Sequence, residues 1–205
     1  MLLRPETIRT TDPAKRAVID ALVSSGATIL EGSLDDEASQ ERACADVDAV
    51  VSCVTGPQLF QQPLLAVAAA KSRRVSRFFA SEWGVDPYVS ALGSVRLLDW
   101  KRDLHAQFNA SGVPMTYVYS NRFASYWAAS LGQLGLTRPP THEIAVFGSG
   151  NVRMPLASVP DIARLAVRML EDERTAGQEV AIVLPDSVLS QGDLIVSGNR
   201  SPVPL

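Results

Sequence analysis

The sequence has 205 residues, of which 46% are hydrophobic, and a formal net charge of -3. This length fits one large domain, and the apolar content supports a buried core rather than a disordered chain. Acidic and basic residues are mixed along the chain, so we expect no nucleic-acid surface. The two cysteines and two histidines are isolated, which predicts no disulfide framework, no metal site and a reducing, cytoplasmic location.

The first residues do not resemble a targeting segment. Met1, Leu2 and Leu3 are followed at once by Arg4 and Pro5, and this apolar run is too short for a signal peptide or a spanning helix. We therefore expect no membrane partner.

Strand and helix patterns alternate along the chain, which predicts βαβ units and a parallel sheet in an α/β, doubly wound fold. Asp12 and Pro13 form a helix start, and glycine follows that helix at position 26. The polar segment from Ser197 onward is expected to be loose. The predicted strands are 2–3, 27–30, 48–54, 75–80, 115–119 and 180–184, with helices at 12–24, 38–45, 63–71, 95–110 and 161–171 and a hairpin joining 144–147 to 152–156.

Two cations near the start could recognise a phosphate. Arg4 follows the first strand, and Lys15 lies at the start of the next helix. In dinucleotide-binding folds an arginine near the end of the second strand accommodates the 2′-phosphate of NADP. Two ordinary surface cations would give the same pattern, so both interpretations stay open.

Small and polar residues end two of the predicted strands, where ligands of open α/β sheets are bound. The segment from Ser52 to Gly56 ends one strand, and its small residues would let a ligand approach the backbone. Ser81 and Glu82 end the next strand, where the carboxylate either faces the crevice or caps the following turn.

Lys101 is a candidate for proton transfer. A partly desolvated lysine can act as a general acid or base, although a solvated helix lysine is the simpler explanation of its position. Classical short-chain dehydrogenases have a tyrosine four residues before their lysine, and here that residue is Leu97. The pattern therefore excludes that catalytic pair.

The last strand of this region ends in further candidates. Asn121 and Phe123 follow the strand at 115–119, where an amide and a ring could hold a nicotinamide. Tyr126 and Trp127 could shape an aromatic pocket, but core packing explains them equally well.

Together these segments resemble the isoflavone reductase and phenylcoumaran benzylic ether reductase family, within the NmrA-like atypical short-chain dehydrogenases/reductases. The resemblance runs from about Leu3 to Leu194 and departs from the family mildly where Ala80 and Trp83 flank Ser-Glu. The matching segments are 4–8, 12–15, 31–36, 47–52, 77–84, Lys101, 112–117 and 120–123.

The resemblance implies an NAD(P)H-dependent oxidoreductase that reduces an aromatic, phenolic or other secondary metabolite. It implies residues 1–124 as an incomplete NAD(P)-binding Rossmann-type region and 125–205 as part of a substrate region, within one continuous NmrA-like domain. It leaves open whether a partner chain, as in a homodimer, covers the sheet. By position it implies Lys101 as the catalytic residue and Arg4, Lys15, Ser52, Val54, Gly56, Gln58, Ser81, Glu82, Asn121 and Phe123 as cofactor-binding residues.

The family's first strand and its Gly-x-x-Gly-x-x-Gly loop are not found in these 205 residues, nor is the full C-terminal substrate region. That strand occupies the centre of a doubly wound sheet, and its loop binds the pyrophosphate. We therefore expect this chain on its own to bind NADP(H) poorly or not at all. Two alternatives stay open: a non-catalytic, NmrA-like dinucleotide-sensing regulator, and an inactive fragment of a reductase.

Overall fold

The computed structural model describes residues 1–198, in two compact units. One unit comprises residues 1–81 and 100–116, and the other comprises residues 82–99 and those from 117 onward. The elements, in chain order, are β1 (Leu2–Leu3), α1 (Pro5–Ile8), α2 (Pro13–Ser24), β2 (Leu30–Glu31), α3 (Glu37–Cys44), β3 (Ala49–Val51), a 3-10 helix (Gly56–Gln61), α4 (Gln62–Ser72), β4 (Arg77–Phe79), a 3-10 helix (Pro87–Val89), α5 (Arg96–Ala110), β5 (Met115–Tyr119), β6 (Arg122–Phe123), α6 (Ala124–Trp127), β7 (Arg153–Ala157), α7 (Val159–Glu171), a 3-10 helix (Glu173–Thr175), β8 (Glu179–Ala181), β9 (Val188–Ser190) and α8 (Gln191–Gly198).

In the first unit every strand pairing is parallel, as the alternating pattern predicts. Strand β1 pairs with β2, and β3 pairs with β4, which in turn pairs with the first residues of β5. Phe78 and Phe79 of β4 are fully buried, and the ring of Phe78 lies 6.4 Å from that of Phe108 on α5. Within residues 1–198, β1 has β2 as its strand partner and β3 has β4.

The helix start predicted at Asp12 and Pro13 is confirmed by its cap. The Asp12 carboxylate accepts a 2.9 Å hydrogen bond from the backbone N–H of Ala14, and Pro13 takes the first helical position. Helix α7 starts earlier than expected, at Val159, because the Ser158 hydroxyl accepts from the N–H of Asp161. The helices are therefore predicted well, whereas the strands at 27–30, 48–54 and 75–80 shorten to two or three residues.

Up to residue 198, the second unit contains three strand pairings and its own core. The end of β5 pairs in parallel with β8, while β7 pairs in parallel with β6 and antiparallel with β9. Leu131, Leu156 and Leu194 form a buried cluster against which Trp127 and Ile144 pack.

The hairpin predicted for 144–147 and 152–156 is wrong. Strand β7 pairs with β6 and β9, not with the segment before Gly148. Two side-chain amides satisfy the backbone of that segment instead. Gln133 accepts from the N–H of Ala145 at 2.9 Å, and Gln191 accepts from that of Phe147 at 2.9 Å. Hydrogen bonds to side chains from elsewhere in the chain thus replace the backbone hydrogen bonds to a partner strand that a β-branched pattern suggests.

The chain beyond the second core is partly helical. Ser197 and Gly198, expected to be loose, complete α8, and the rest of the segment predicted as loose lies outside the described residues. Across residues 1–198 no helix combines the length and apolar character needed to cross a membrane. The functional boundary predicted at residue 124 stays a prediction.

Candidate active site

The centre of the candidate site in the first unit is Ser81, two residues past β4, which is held at three points. Its backbone N–H donates to Oε1 of Gln62 at 2.9 Å, and its hydroxyl donates to the carbonyl of Val54 at 2.7 Å. Its own carbonyl accepts from Nζ of Lys101 at 3.4 Å. This strand end is therefore a fixed polar platform and not a loose turn.

Lys101 lies on the buried face of α5. Lys101, Leu104, His105 and Phe108 are the buried residues of this helix, at the spacing of a single helical face. Lys101 is 7% exposed, so the solvated-lysine interpretation does not describe its position. Its Nζ lies 3.4 Å from the Ser81 carbonyl, so the side chain is fixed inside the unit and does not extend into water.

The first unit contains a cavity of about 690 Å³, bordered by β1 and β3, at the position that the family's first strand takes in a doubly wound sheet. Backbone and apolar side chains of β1 and β3 form part of its wall. Four predicted cofactor-binding residues line it, whereas Gly56 and Lys15 do not. The four are Arg4, Ser52, Val54 and Gln58.

The two candidate phosphate-binding cations differ in position. Arg4 borders the cavity directly after β1, is about half exposed and forms a 3.2 Å ion pair with Glu6. Lys15 is exposed in the first turn of α2, where its backbone N–H is capped by Asp12. Of the two, Arg4 has the better placement for a ligand in the cavity.

The loop after β3 connects the cavity to the Ser81 platform. Ser52 is buried, and its N–H donates to the carbonyl of Phe79 at 2.9 Å. Val54 lines the cavity, and its carbonyl also accepts the hydrogen bond from the Ser81 hydroxyl. Gly56 has a φ of +60°, which favours glycine, and starts the 3-10 helix that contains Gln58.

The remaining candidates belong to the second unit. Asn121 has a φ of +59°, its N–H donates to Gly84 at 2.9 Å, and its amide nitrogen donates to the carbonyl of Ile182 at 3.0 Å. Asparagine tolerates this backbone region better than most residues. Phe123 is half-buried in β6, opposite Ala157 of β7. These contacts fix the turn after β5.

Glu82 is buried, and its charge acts on a neighbour in the same unit. It is 3% exposed. Burial raises the pKa of Tyr117, and the negative charges of Glu82 and Glu179 raise it further. Tyr117 is therefore neutral at physiological pH and not a base.

The two aromatic residues proposed for a substrate pocket have structural partners. The Tyr126 and Trp127 rings lie 6.3 Å apart in an edge-to-face arrangement, and the Arg122 guanidinium lies 4.8 Å from the Trp127 ring centre. Trp127 also packs against the leucine cluster of the second unit. For Trp127 the core-packing interpretation is the one that these contacts support.

Sequence reasoning missed two residues of this region. Gln62, 1% exposed, fixes the N–H of Ser81, and its only sequence signal is a polar residue opening an otherwise apolar helix. Cys53 lines the cavity, and burial raises the pKa of its thiol. An isolated cysteine gives no such signal in the sequence.

The residues present fit one part of a dinucleotide better than another. Arg4, the cavity and the small residues after β3 suit a phosphorylated ribose and a ligand that passes close to the backbone. A glycine-rich turn that would cradle a pyrophosphate with backbone N–H groups does not occur in residues 1–198.

Parallel strands joined by helices, with a cavity and a fixed polar platform at strand ends, define a protein of the doubly wound, Rossmann-type α/β class. The sequence profile of the NmrA-like family matches residues 6–198, so the chain belongs to the NmrA-like family.

Relatives and solved structures agree with this family. The chain is 34% identical over 196 residues to phenylcoumaran benzylic ether reductase PT1 of Pinus taeda, covering 95% of this chain and 64% of that protein. The structure resembles AtPrR2 solved with NADP+ and (+)-pinoresinol, with a TM-score of 0.86, 29% identity and coverage of 97% and 66%. It also resembles isoflavone reductase, with a TM-score of 0.87, 29% identity and the same coverage. The chain thus spans less than two thirds of the length of the reductase from Pinus taeda.

Proposed function

We propose that this chain carries the proton-transfer part of an NADPH-dependent reductase site for aromatic metabolites. The observation that carries the proposal is the buried Lys101 ammonium held by the Ser81 carbonyl, beside a loop that lines the cavity. A dinucleotide sensor needs no proton-transfer group, so this lysine favours an enzyme over a regulator.

In this proposal Arg4 contacts the 2′-phosphate of the cofactor, and Ser52, Val54 and Gln58 line its path through the cavity. NADPH, when bound, supplies the hydride. Lys101 donates a proton from Nζ to the substrate atom that gains negative charge and recovers one from water. Lys15, Gly56, Ser81, Glu82, Asn121 and Phe123 stay predicted cofactor-binding residues.

An aromatic small molecule is the proposed substrate class. The support is the family, together with a relative named for reducing a benzylic ether and a solved neighbour that contains pinoresinol. The cytoplasmic location and a homodimer stay predictions that rest on the sequence.

Binding is tested by ligand protection of Cys53, which lines the cavity beside the proposed cofactor path. Residues 1–198 supply Arg4 for the 2′-phosphate but no glycine-rich turn for the pyrophosphate, so for these residues we expect protection at millimolar NADPH, with NADH weaker still. Arg4→Ala should remove most of the difference between the two dinucleotides, and Lys15→Ala, at an exposed position outside the cavity lining, should reduce it less. Equal protection by NADH and NADPH would refute the assignment of Arg4, and tight micromolar binding would refute the expected weakness.

Turnover is tested separately. Reduction of aromatic ethers or lignans by the chain with NADPH, lost in Lys101→Ala while Cys53 protection is kept, supports the reductase. Protection without turnover of any such substrate supports the dinucleotide sensor. A mass measurement on the native protein separates both from a fragment of a longer reductase.

A further inference from the structure

We propose that Gln62 is the positioning residue for Lys101, acting through the backbone of Ser81. The proposal rests on the proposed function only in taking Lys101 as the proton-transfer residue. Gln62 is 1% exposed and is the first residue of α4, whose other buried residues are apolar. Burying an amide among such residues is unfavourable unless its polar atoms are hydrogen-bonded.

The hydrogen bonds of Gln62 link two segments of the site. Its Oε1 accepts from the N–H of Ser81 at 2.9 Å, across 19 positions of sequence. Its Nε2 donates to the carbonyl of Leu59 at 3.3 Å, in the 3-10 helix that contains Gln58. One side chain thus ties the cavity loop to the strand end that holds Lys101.

The geometry at Ser81 explains why this link reaches the lysine. The Ser81 hydroxyl donates to the carbonyl of Val54, and the Ser81 N–H donates to Gln62, so the side chain of this residue and the peptide before it are both fixed. The carbonyl that accepts from Lys101 belongs to the same residue. Loss of the Gln62 acceptor leaves a buried N–H that can be satisfied only by rotating this part of the backbone.

A simple capping or packing role is the competing explanation, and Gln40 provides the matched control. Gln40 is also 1% exposed in the first unit, where its Nε2 donates to the carbonyl of Leu34 at 2.5 Å. It lies on α3 and has no hydrogen bond to Ser81 or Lys101 among the described contacts of the chain. Removing its amide therefore measures how much the loss of any buried glutamine amide in this unit changes the labelling and exchange rates.

The test compares Gln62→Met, Gln62→Glu and Gln40→Met in the full chain, by amine acetylation of Lys101 followed by mass spectrometry, with Lys15 as internal reference. Hydrogen exchange at the Ser81 amide is the second readout. Gln62→Met should raise both rates about fivefold, the factor expected for loss of one hydrogen bond. Gln62→Glu keeps the acceptor and should restore most of the protection, while Gln40→Met should change neither rate.

The proposal would be overturned if Lys101 were acetylated at the same rate in Gln62→Met and Gln40→Met. The two variants are compared at the same interval below their melting temperatures. A failure of Gln62→Glu to restore protection would also overturn the proposal. Neither readout uses cofactor or turnover, so these outcomes do not depend on whether the chain is a reductase. Where turnover is measured, Gln62→Met should lower kcat and leave the KM for NADPH unchanged.

Discussion

The Nζ atom of Lys101 lies 3.4 Å from the carbonyl oxygen of Ser81, on the inner face of a helix that otherwise buries Leu104, His105 and Phe108. Burying an ammonium has a desolvation cost that its polar partners offset. The contribution of Lys101 to stability is therefore measured separately from its proposed role in proton transfer.

We predict that Lys101→Met lowers the free energy of unfolding by only about 1 kcal/mol, because the thioether fills the space of the stem but leaves the Ser81 carbonyl without its Lys101 donor. Urea unfolding measures this effect. Leu104→Ala, on the same helix face, should instead lower the free energy of unfolding by about 2–5 kcal/mol. A loss for Lys101→Met of the size seen in Leu104→Ala would mean that the lysine has a structural role.

The two thiols should differ in reactivity. Cys44 is fully buried and Cys53 is exposed at the cavity, and burial raises the pKa of both. Ellman's reagent should therefore modify one thiol in the native protein, slowly at neutral pH and faster toward pH 9, and two thiols in urea. In Cys53→Ser the native reaction should vanish, and a reaction that persists would show that Cys44 is accessible.

Gly32 should not tolerate a side chain. A Cβ at this position would lie 2.5 Å from the Ser39 hydroxyl and 2.9 Å from Leu2. We expect Gly32→Ala to lower the free energy of unfolding by about 1–3 kcal/mol through overpacking. Gly192→Ala in α8 is the control, since its Cβ would meet its nearest neighbour at 3.4 Å and alanine favours a helix. Equal melting temperatures for Gly32→Ala and the wild type would contradict the packing argument.

Asp193 should make stability depend on acid pH. The backbone N–H and hydroxyl of Ser190, with Arg153, hold the pKa of Asp193 below its ordinary value of 3.8. A group whose pKa is lower in the folded state stabilises the protein above its unfolded pKa, and this contribution is lost as the pH falls through the folded value. Asp193→Asn should thus lower stability at neutral pH and flatten its decline below pH 3.8.

Urea midpoints measured as a function of pH test this expectation. Ser190→Ala removes one of the two donors and should give an intermediate slope. An acid slope in Asp193→Asn that equals the wild-type slope would show that other carboxylates dominate.

Local signals predicted the helices and the polar strand ends because their causes are local. Asp12 caps a helix where it precedes Pro13. The burial of Lys101 is not predicted in this way, since a solvated helix lysine is the simpler expectation and the structure places it on the buried face of α5. The role of Gln62 could not be predicted in this way. Its partner is 19 residues distant, and one polar residue at a helix start has many explanations.

The same distinction explains the wrong hairpin. The residues from Ile144 to Phe147 have the composition of a strand, and Gly148 to Asn151 have that of a turn. Gln133 and Gln191, one on either side in sequence, take the backbone groups that a partner strand would have used. Side-chain amides and a partner strand compete for the same backbone groups. Tertiary structure decides which of them binds, and a local sequence pattern does not contain that information.

The cavity of the first unit has a further consequence, for how the protein behaves in concentrated solution. Strands β1 and β3 both border it, and within residues 1–198 each pairs with one other strand only. A strand edge with spare pairing capacity is a template on which another chain can add. For residues 1–198 produced alone, we therefore expect light scattering that grows with protein concentration and falls when the edge beside Leu2 or Val50 is interrupted by proline.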